Sequence, residues 1–138
     1  MPCLKKMPKI DIFSDGASRG NPGEAGCGYV VFADGQEIAT GKKYLGQTTN
    51  NIAEYSAVIH ALKDPLVKDA AEVNFFLDSE LVVKQMKGEY RVKHEGLIPL
   101  KAEIDRMIYG KKVTFTHVPR NQNKIADRLA NEAIDGKV

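Results

Sequence analysis

Four carboxylates stand out by position. Asp15 closes a β-type run, Glu54 lies in the first turn of a helical run, Asp78 closes a second β-type run, and Asp127 lies in the last helical run. Each has an ordinary local use. Asp15 before Gly16 fits a turn, Asp78 before Ser79 fits a helix cap, and Glu54 three residues after Asn51 fits a capping box. Glu54 is the acid least well served by that use. Its helix, Ile52 to Leu62, carries no other acid and is apolar nearly all round, and Glu54 shares its side with Ala57, Val58 and Ala61. An acid on a mostly buried helix needs a partner or a cation. Asp127 borders the apolar stripe Ile125, Ala126, Leu129, Ala130, Ala133 and Ile134, a rim position that is equally ordinary for a salt-bridging acid. Carboxylates gathered at one place repel one another unless divalent ions neutralise them, and hard oxygen ligands suit Mg²⁺ or Mn²⁺. Two such ions about 3.5–4 Å apart can activate a water and stabilise the leaving oxygen of a phosphodiester. That chemistry needs no Ser, His or Cys nucleophile, and none is obviously placed here.

Only a fold can bring these acids together. Residues 1–7 read as a flexible tail, and residues 8–138 as one domain. Ile10 to Phe13 opens a strand that ends at the turn signal Asp15-Gly16, and Gly16 to Gly26 reads as a tight loop. Gly28 to Phe32 is a second strand, Asp34-Gly35 a hairpin turn, and Gln36 to Leu45 a third strand. A helix follows from Ile52 to Lys63, with Asn51 as its N-cap and Pro65 beyond its end. Val73 to Leu77 is the fourth strand. Helices are expected from Asp78-Ser79 to near Gly88 and over Ile98–Ile108, then a strand from Lys112 to Val118 and a helix from Asn123 to Ile134. This is an α/β domain with a five-stranded mixed sheet, three antiparallel strands then two parallel, flanked by helices. A crossover helix sets the fourth strand parallel to the first, with the two side by side. Ligands of such sheets gather at the carboxyl ends of strands where the order reverses, which is where Asp15 and Asp78 fall.

Composition narrows the partners. The 138 residues include 20 basic and 18 acidic side chains, a net charge of +2 that permits nucleic-acid binding without announcing it. Two cysteines, Cys3 and Cys27, cannot fill a four-ligand zinc site, and Cys27 reads as a buried thiol. A reducing cytoplasm is the expected compartment, and a monomer the expected state. No apolar stretch approaches the ~20 residues of a membrane span.

Four blocks then converge. Asp15-Gly-Ala-Ser-Arg-Gly-Asn-Pro-Gly23, Thr48-Thr-Asn-Asn-Ile-Ala-Glu-Tyr55, Leu77-Asp-Ser79 and Ala126-Asp-Arg-Leu-Ala130 closely resemble the signature blocks of type 1 ribonuclease H, in the family's order. The resemblance covers about residues 8–135. It implies a metal-dependent endonuclease that cuts the RNA strand of RNA/DNA hybrids, leaving 5′-phosphate and 3′-hydroxyl ends. By motif match Asp15, Glu54, Asp78 and Asp127 would be the catalytic acids, holding two Mg²⁺ or Mn²⁺ ions. Asn21, Thr49 and Asn50 would contact the hybrid backbone, and Ser18 of the same glycine-rich loop is counted with them.

The chain also departs from the family. Many members carry a His in a loop before the last acid, whereas Val118 to Asn123 has none. Arg120 or Asn121 is expected to substitute, and His117 to be structural. The long basic protrusion of several bacterial members is reduced to Lys84–His94, and Gln47 replaces an Arg that often holds a DNA phosphate. The N-terminal hybrid-binding domain of some relatives is not seen. Lys84, Lys87, Arg91, Lys93 and Lys111 are expected to supply a few phosphate contacts. Two alternatives stand beside this reading: broader activity that includes double-stranded RNA, and a catalytically silent RNA-binding module on the same fold.

Overall fold

The computed structural model describes residues 7–138. Three long strands form an antiparallel meander: β1 (Met7–Ser18), β2 (Gly23–Ala33) and β3 (Gln36–Thr48). The helix α1 (Asn50–Leu62) and the single turn α2 (Pro65–Lys68) cross back to β4 (Ala70–Leu77). Then come α3 (Glu80–Met86), α4 (Ile98–Ile108), β5 (Lys112–His117), a 3₁₀ turn at Arg120–Gln122, and α5 (Lys124–Gly136). The sheet order is β3-β2-β1-β4-β5, with β1, β4 and β5 parallel and β1 to β3 antiparallel. The mixed sheet and the β1–β4 neighbourhood expected from the sequence are both present. No helix among the described residues is long and apolar enough to cross a membrane.

One face of the sheet carries the main core. Ile10 and Ile12 of β1, Val31 of β2, and Val73, Phe75 and Leu77 of β4 pack against Tyr55 and Val58 of α1, Val82 of α3 and Ile104 of α4. Each fully buried aliphatic or aromatic side chain here contributes roughly 1.5–3 kcal/mol. The other face is covered over β1, β2 and β3 by α5, through Ala126, Leu129, Ala130, Ala133 and Ile134.

Several local expectations are corrected. The tail expected over residues 1–7 lies outside the described residues, as does Cys3, except that Met7 already pairs with Ala70 in β1. Asp15-Gly16 is not a turn. β1 runs through both residues to Ser18, and β2 begins at Gly23, so the glycine-rich loop shrinks to residues 19–22. The glycines that suggested a loop serve packing instead. A Cβ on Gly28 would come within 2.6 Å of Leu129 and 2.8 Å of the Ala130 backbone, so a bare strand lets α5 lie close. Thr49, not Asn51, caps α1: its hydroxyl accepts from the Ile52 N–H at 3.2 Å. Glu54 therefore lies outside any capping box. Ser79 caps α3 by accepting from the Val82 N–H at 3.3 Å, which leaves Asp78 free of that task. The short α2 was not expected from Asp64-Pro65, although an acid cap before a proline at the first helical position is its ordinary start. The Asp34-Gly35 hairpin forms as read, with both residues at positive φ.

Candidate active site

The register of β1 on β4 sets two acids opposite each other. Paired residues run in step up to Phe13 and Phe76, and two positions further on come Asp15, still within β1, and Asp78, just past the end of β4. Glu54 reaches the same point because α1 lies against β1 with almost no space between backbones. A Cβ on Gly16 would sit 2.2 Å from the Ala53 carbonyl carbon and 2.3 Å from the Glu54 nitrogen. Only glycine permits that approach. One carboxylate oxygen each from Asp15, Glu54 and Asp78 lies within 4.8 Å of the others. Asp15 and Glu54 are buried, at 5% and 3% exposure, while Asp78 is half-buried.

The electrostatics of this cluster are unfavourable without a cation. Burial, then the charge of Asp78 and the nearness of Asp127, push the Asp15 carboxyl up to about 8. Burial, with Asp15 next, holds Glu54 well above the usual carboxylate range, against a smaller opposing pull from the Gly16 backbone. The Glu54 Oε1 atom is buried without a hydrogen-bond partner. Uncompensated acids and an orphaned carboxylate oxygen fit a divalent cation. Asp127, in the first turn of α5, is half-buried and close enough to raise Asp15, but lies outside the convergent three. Asn131, one turn along α5, donates to the Asp127 carbonyl at 3.0 Å and to its side chain at 3.4 Å. Arg19 holds Asn131 in turn, at 3.1 Å, and pairs with Asp135 at 2.7 Å.

The residues expected to touch substrate separate into two groups. Asn21, Thr49 and Asn50 come together: the Asn21 side-chain oxygen accepts from the Asn50 N–H at 3.0 Å, and all three border a hollow of about 470 Å³. Arg91, Lys93 and His94 close its far side. Ser18 turns its hydroxyl back to the Thr48 carbonyl at 3.0 Å and to Gly20. Arg120 is exposed on the 3₁₀ turn and is not part of this hollow. Asn121 lines an apolar hollow with Phe13, Val30 and Phe32. His117, expected to be structural, is exposed at the end of β5 opposite Leu77, one residue from Asp78.

Three of the expected phosphate contacts have other partners. Lys111 donates to the carbonyls of Val67, Lys68 and Ala70 at 3.2, 3.1 and 2.6 Å, closing the end of α2. Lys87 pairs with Glu89 at 3.2 Å, and Lys84 with Glu80 at 3.5 Å while lying over the Tyr90 ring. Cys27 is buried as expected, its thiol pushed up to about 12 by burial. Another hollow, about 480 Å³, is lined by Tyr29, Lys43, His60 and Lys63, on the C-terminal half of α1 and away from the acids. Sequence reasoning missed Asn123, which donates to the Ser14 carbonyl at 2.9 Å and to Asp78 at 3.2 Å. Its only signal was its place at the start of the last helix.

Known proteins share both the sequence and the shape. The bifunctional protein Rv2228c of Mycobacterium tuberculosis is 43% identical over 130 residues, which is 92% of this chain and 36% of that protein. This chain thus spans about a third of that relative's length. The ribonuclease HI of Halobacterium salinarum is 40% identical over 129 residues, 92% of this chain and 65% of that one. LC11-RNase H1, solved in complex with an RNA/DNA hybrid, superposes with a TM-score of 0.88 at 41% identity, covering 93% of this chain and 98% of that one. The reverse transcriptase-like family matches residues 13–133, a span that takes in all four acids. On that match and those relatives, the chain belongs to the reverse transcriptase-like family and, within it, to the type 1 ribonuclease H domains.

Proposed function

We propose that residues 8–138 form a metal-dependent endonuclease domain that hydrolyses the RNA strand of RNA/DNA hybrids, leaving 5′-phosphate and 3′-hydroxyl ends. The observation that carries this reading is the convergence of Asp15, Glu54 and Asp78 to within 4.8 Å at the switch point of the sheet. These three acids, joined by Asp127, would hold two Mg²⁺ or Mn²⁺ ions. Bound there, such ions lower the barrier to water attack on a phosphodiester and stabilise the leaving oxygen. The rest of the work belongs to the chain. Asn50, at the N-terminus of α1, and Thr49 offer amide and hydroxyl groups to a backbone phosphate. The loop over residues 19–22 presents Gly20 and Asn21 to the minor groove, where 2′-hydroxyls tell RNA from DNA. Arg91 and Lys93 face the same hollow and neutralise the second strand. Water adds across the bond between phosphorus and the 3′ oxygen, so that oxygen leaves protonated and the phosphate stays on the 5′ end. The names of the relatives, and the hybrid bound to LC11-RNase H1, support this substrate class.

Strand-labelled hybrid, RNA duplex and DNA duplex, each incubated with Mg²⁺ or with chelator, test the reading together. The expected result is cutting of the RNA strand of the hybrid alone, abolished by chelator. Cutting of the DNA strand, or no cutting of any duplex with Mg²⁺ or Mn²⁺, would overturn it. Cutting of the RNA duplex as well would widen the substrate class to double-stranded RNA.

A further inference from the structure

We infer that Asn123 is a positioning residue that bridges the diverging ends of β1 and β4 and fixes the Asp78 carboxylate for cation binding, an inference that rests on the nuclease reading above. Asn123 is 1% exposed, and its amide nitrogen donates both protons, to the Ser14 carbonyl at 2.9 Å and to Asp78 Oδ2 at 3.2 Å. Ser14 precedes Asp15, and the Asn123 carbonyl accepts from the Asp127 N–H at 3.1 Å. One residue therefore ties the three elements that carry Asp15, Asp78 and Asp127.

The side chain has been diverted from its ordinary task. Asn at a helix N-cap normally turns its oxygen onto the N–H groups of the first turn. Thr49, Asp64 and Ser79 each make such a bond at their own helices, whereas Asn123 makes none for α5. Its Oδ1 is left buried and without a partner. A buried acceptor without a partner is unfavourable, so the orientation is held by what the nitrogen does. The reverse orientation would set the amide oxygen against two other oxygens. The position thus calls for a neutral double donor. With Oδ2 engaged, Asp78 keeps one rotamer and one free oxygen for a cation, the way outer-shell partners orient carboxylate ligands.

The test is titration of metal-free protein with Mn²⁺ by calorimetry, followed by hybrid cleavage at several metal concentrations. Asn123→Ala should raise the Mn²⁺ dissociation constant roughly 10- to 100-fold. The KM for hybrid should stay unchanged, and much of the lost kcat should return at high metal. Asn123→Asp keeps the shape, removes the donors and sets a third anion against Asp78, so it should bind Mn²⁺ through a different charge balance yet fail to restore kcat. Thermal unfolding in chelator confirms that each variant is folded, and the Asp variant stands in should the Ala variant not fold. In an Asp78→Ala background the effect of Asn123→Ala on Mn²⁺ binding should vanish, since the side chain it orients is gone. Unchanged Mn²⁺ affinity in Asn123→Ala with a lowered melting temperature would make the residue a strut and overturn the inference. Unchanged Mn²⁺ affinity and cleavage in Asp78→Ala itself would instead overturn the nuclease site.

Discussion

Asp15 is buried between two other carboxylates, and its protonation follows from that crowding rather than from its neighbours in sequence. Its carboxyl moves from an ordinary 3.8 to about 8 in the folded chain, and Glu54 moves the same way. The folded state therefore keeps protons that the unfolded chain has released. Stability from this source is complete below about pH 4 and is lost as pH rises toward 8. In chelator, the melting temperature should fall across that window, and Asp15→Asn should flatten the fall. Saturating Mg²⁺ should restore the wild type at pH 8. A melting temperature with the same pH slope in both proteins would contradict the crowding. Gly16 is the second residue on which the cluster depends. Gly16→Ala drives a Cβ into the Ala53–Glu54 peptide at 2.2 Å, and relief requires α1 to move away from β1. Overpacking of this kind costs typically 1–3 kcal/mol, and the shifted Glu54 should lower cleavage well beyond what the lost stability explains. Wild-type melting and turnover in Gly16→Ala would place the helix elsewhere. The three acids and Asp127 could be read from the sequence because each sits in one of the four signature blocks, and Glu54 in addition because its helix carries no other acid. Asn123 and Gly16 could not, since what they touch is set by strand register and by helix approach.

At the scale of elements, period and punctuation located every strand and all the longer helices, but glycine misled at one end of the sheet. Of the three glycines over residues 23–28, Gly26 and Gly28 are there because α5 lies close to β2, while Gly23 faces the Arg19 carbonyl across the short loop. Capping was misassigned by a residue or two for a similar reason: Thr49, Asn50 and Asn51 are all competent, and the direction of entry from β3 selects Thr49. The basic side chains divide by element as well. Lys111 belongs to the end of α2, while Arg91 and Lys93 belong to the segment between α3 and α4 that closes the hollow beside Thr49. Each phosphate contact adds roughly −0.7 to −0.9 to the log–log salt slope of binding. Arg91→Ala with Lys93→Ala should therefore flatten the slope of hybrid binding by about 1.4–1.8 while changing the saturated rate little. Lys111→Ala should leave the slope alone and lower the melting temperature, because three carbonyls lose their donor. The reverse pattern would move the second strand to the α2 side of the molecule.

Taken whole, the molecule places its chemistry where sheet topology leaves a gap. β2 and β4 leave β1 in opposite chain directions, the strands part beyond Phe13 and Phe76, and the carboxylates occupy the opening. The main core lies on the α1 side, and α5 closes the other face and brings Asp127 to the edge of the cluster. A net charge of +2 leaves recognition to local groups rather than to a strong overall field. The central claim is that these acids cut the RNA strand of a hybrid. Single-turnover cleavage of labelled hybrid by Asp15→Asn, with substrate and Mg²⁺ saturating, addresses it directly. The variant should be folded, at least as heat-stable as the wild type in chelator, and slower by about a thousandfold or more, some 4 kcal/mol of barrier. A folded Asp15→Asn variant that cuts the RNA strand at close to the wild-type rate would contradict it.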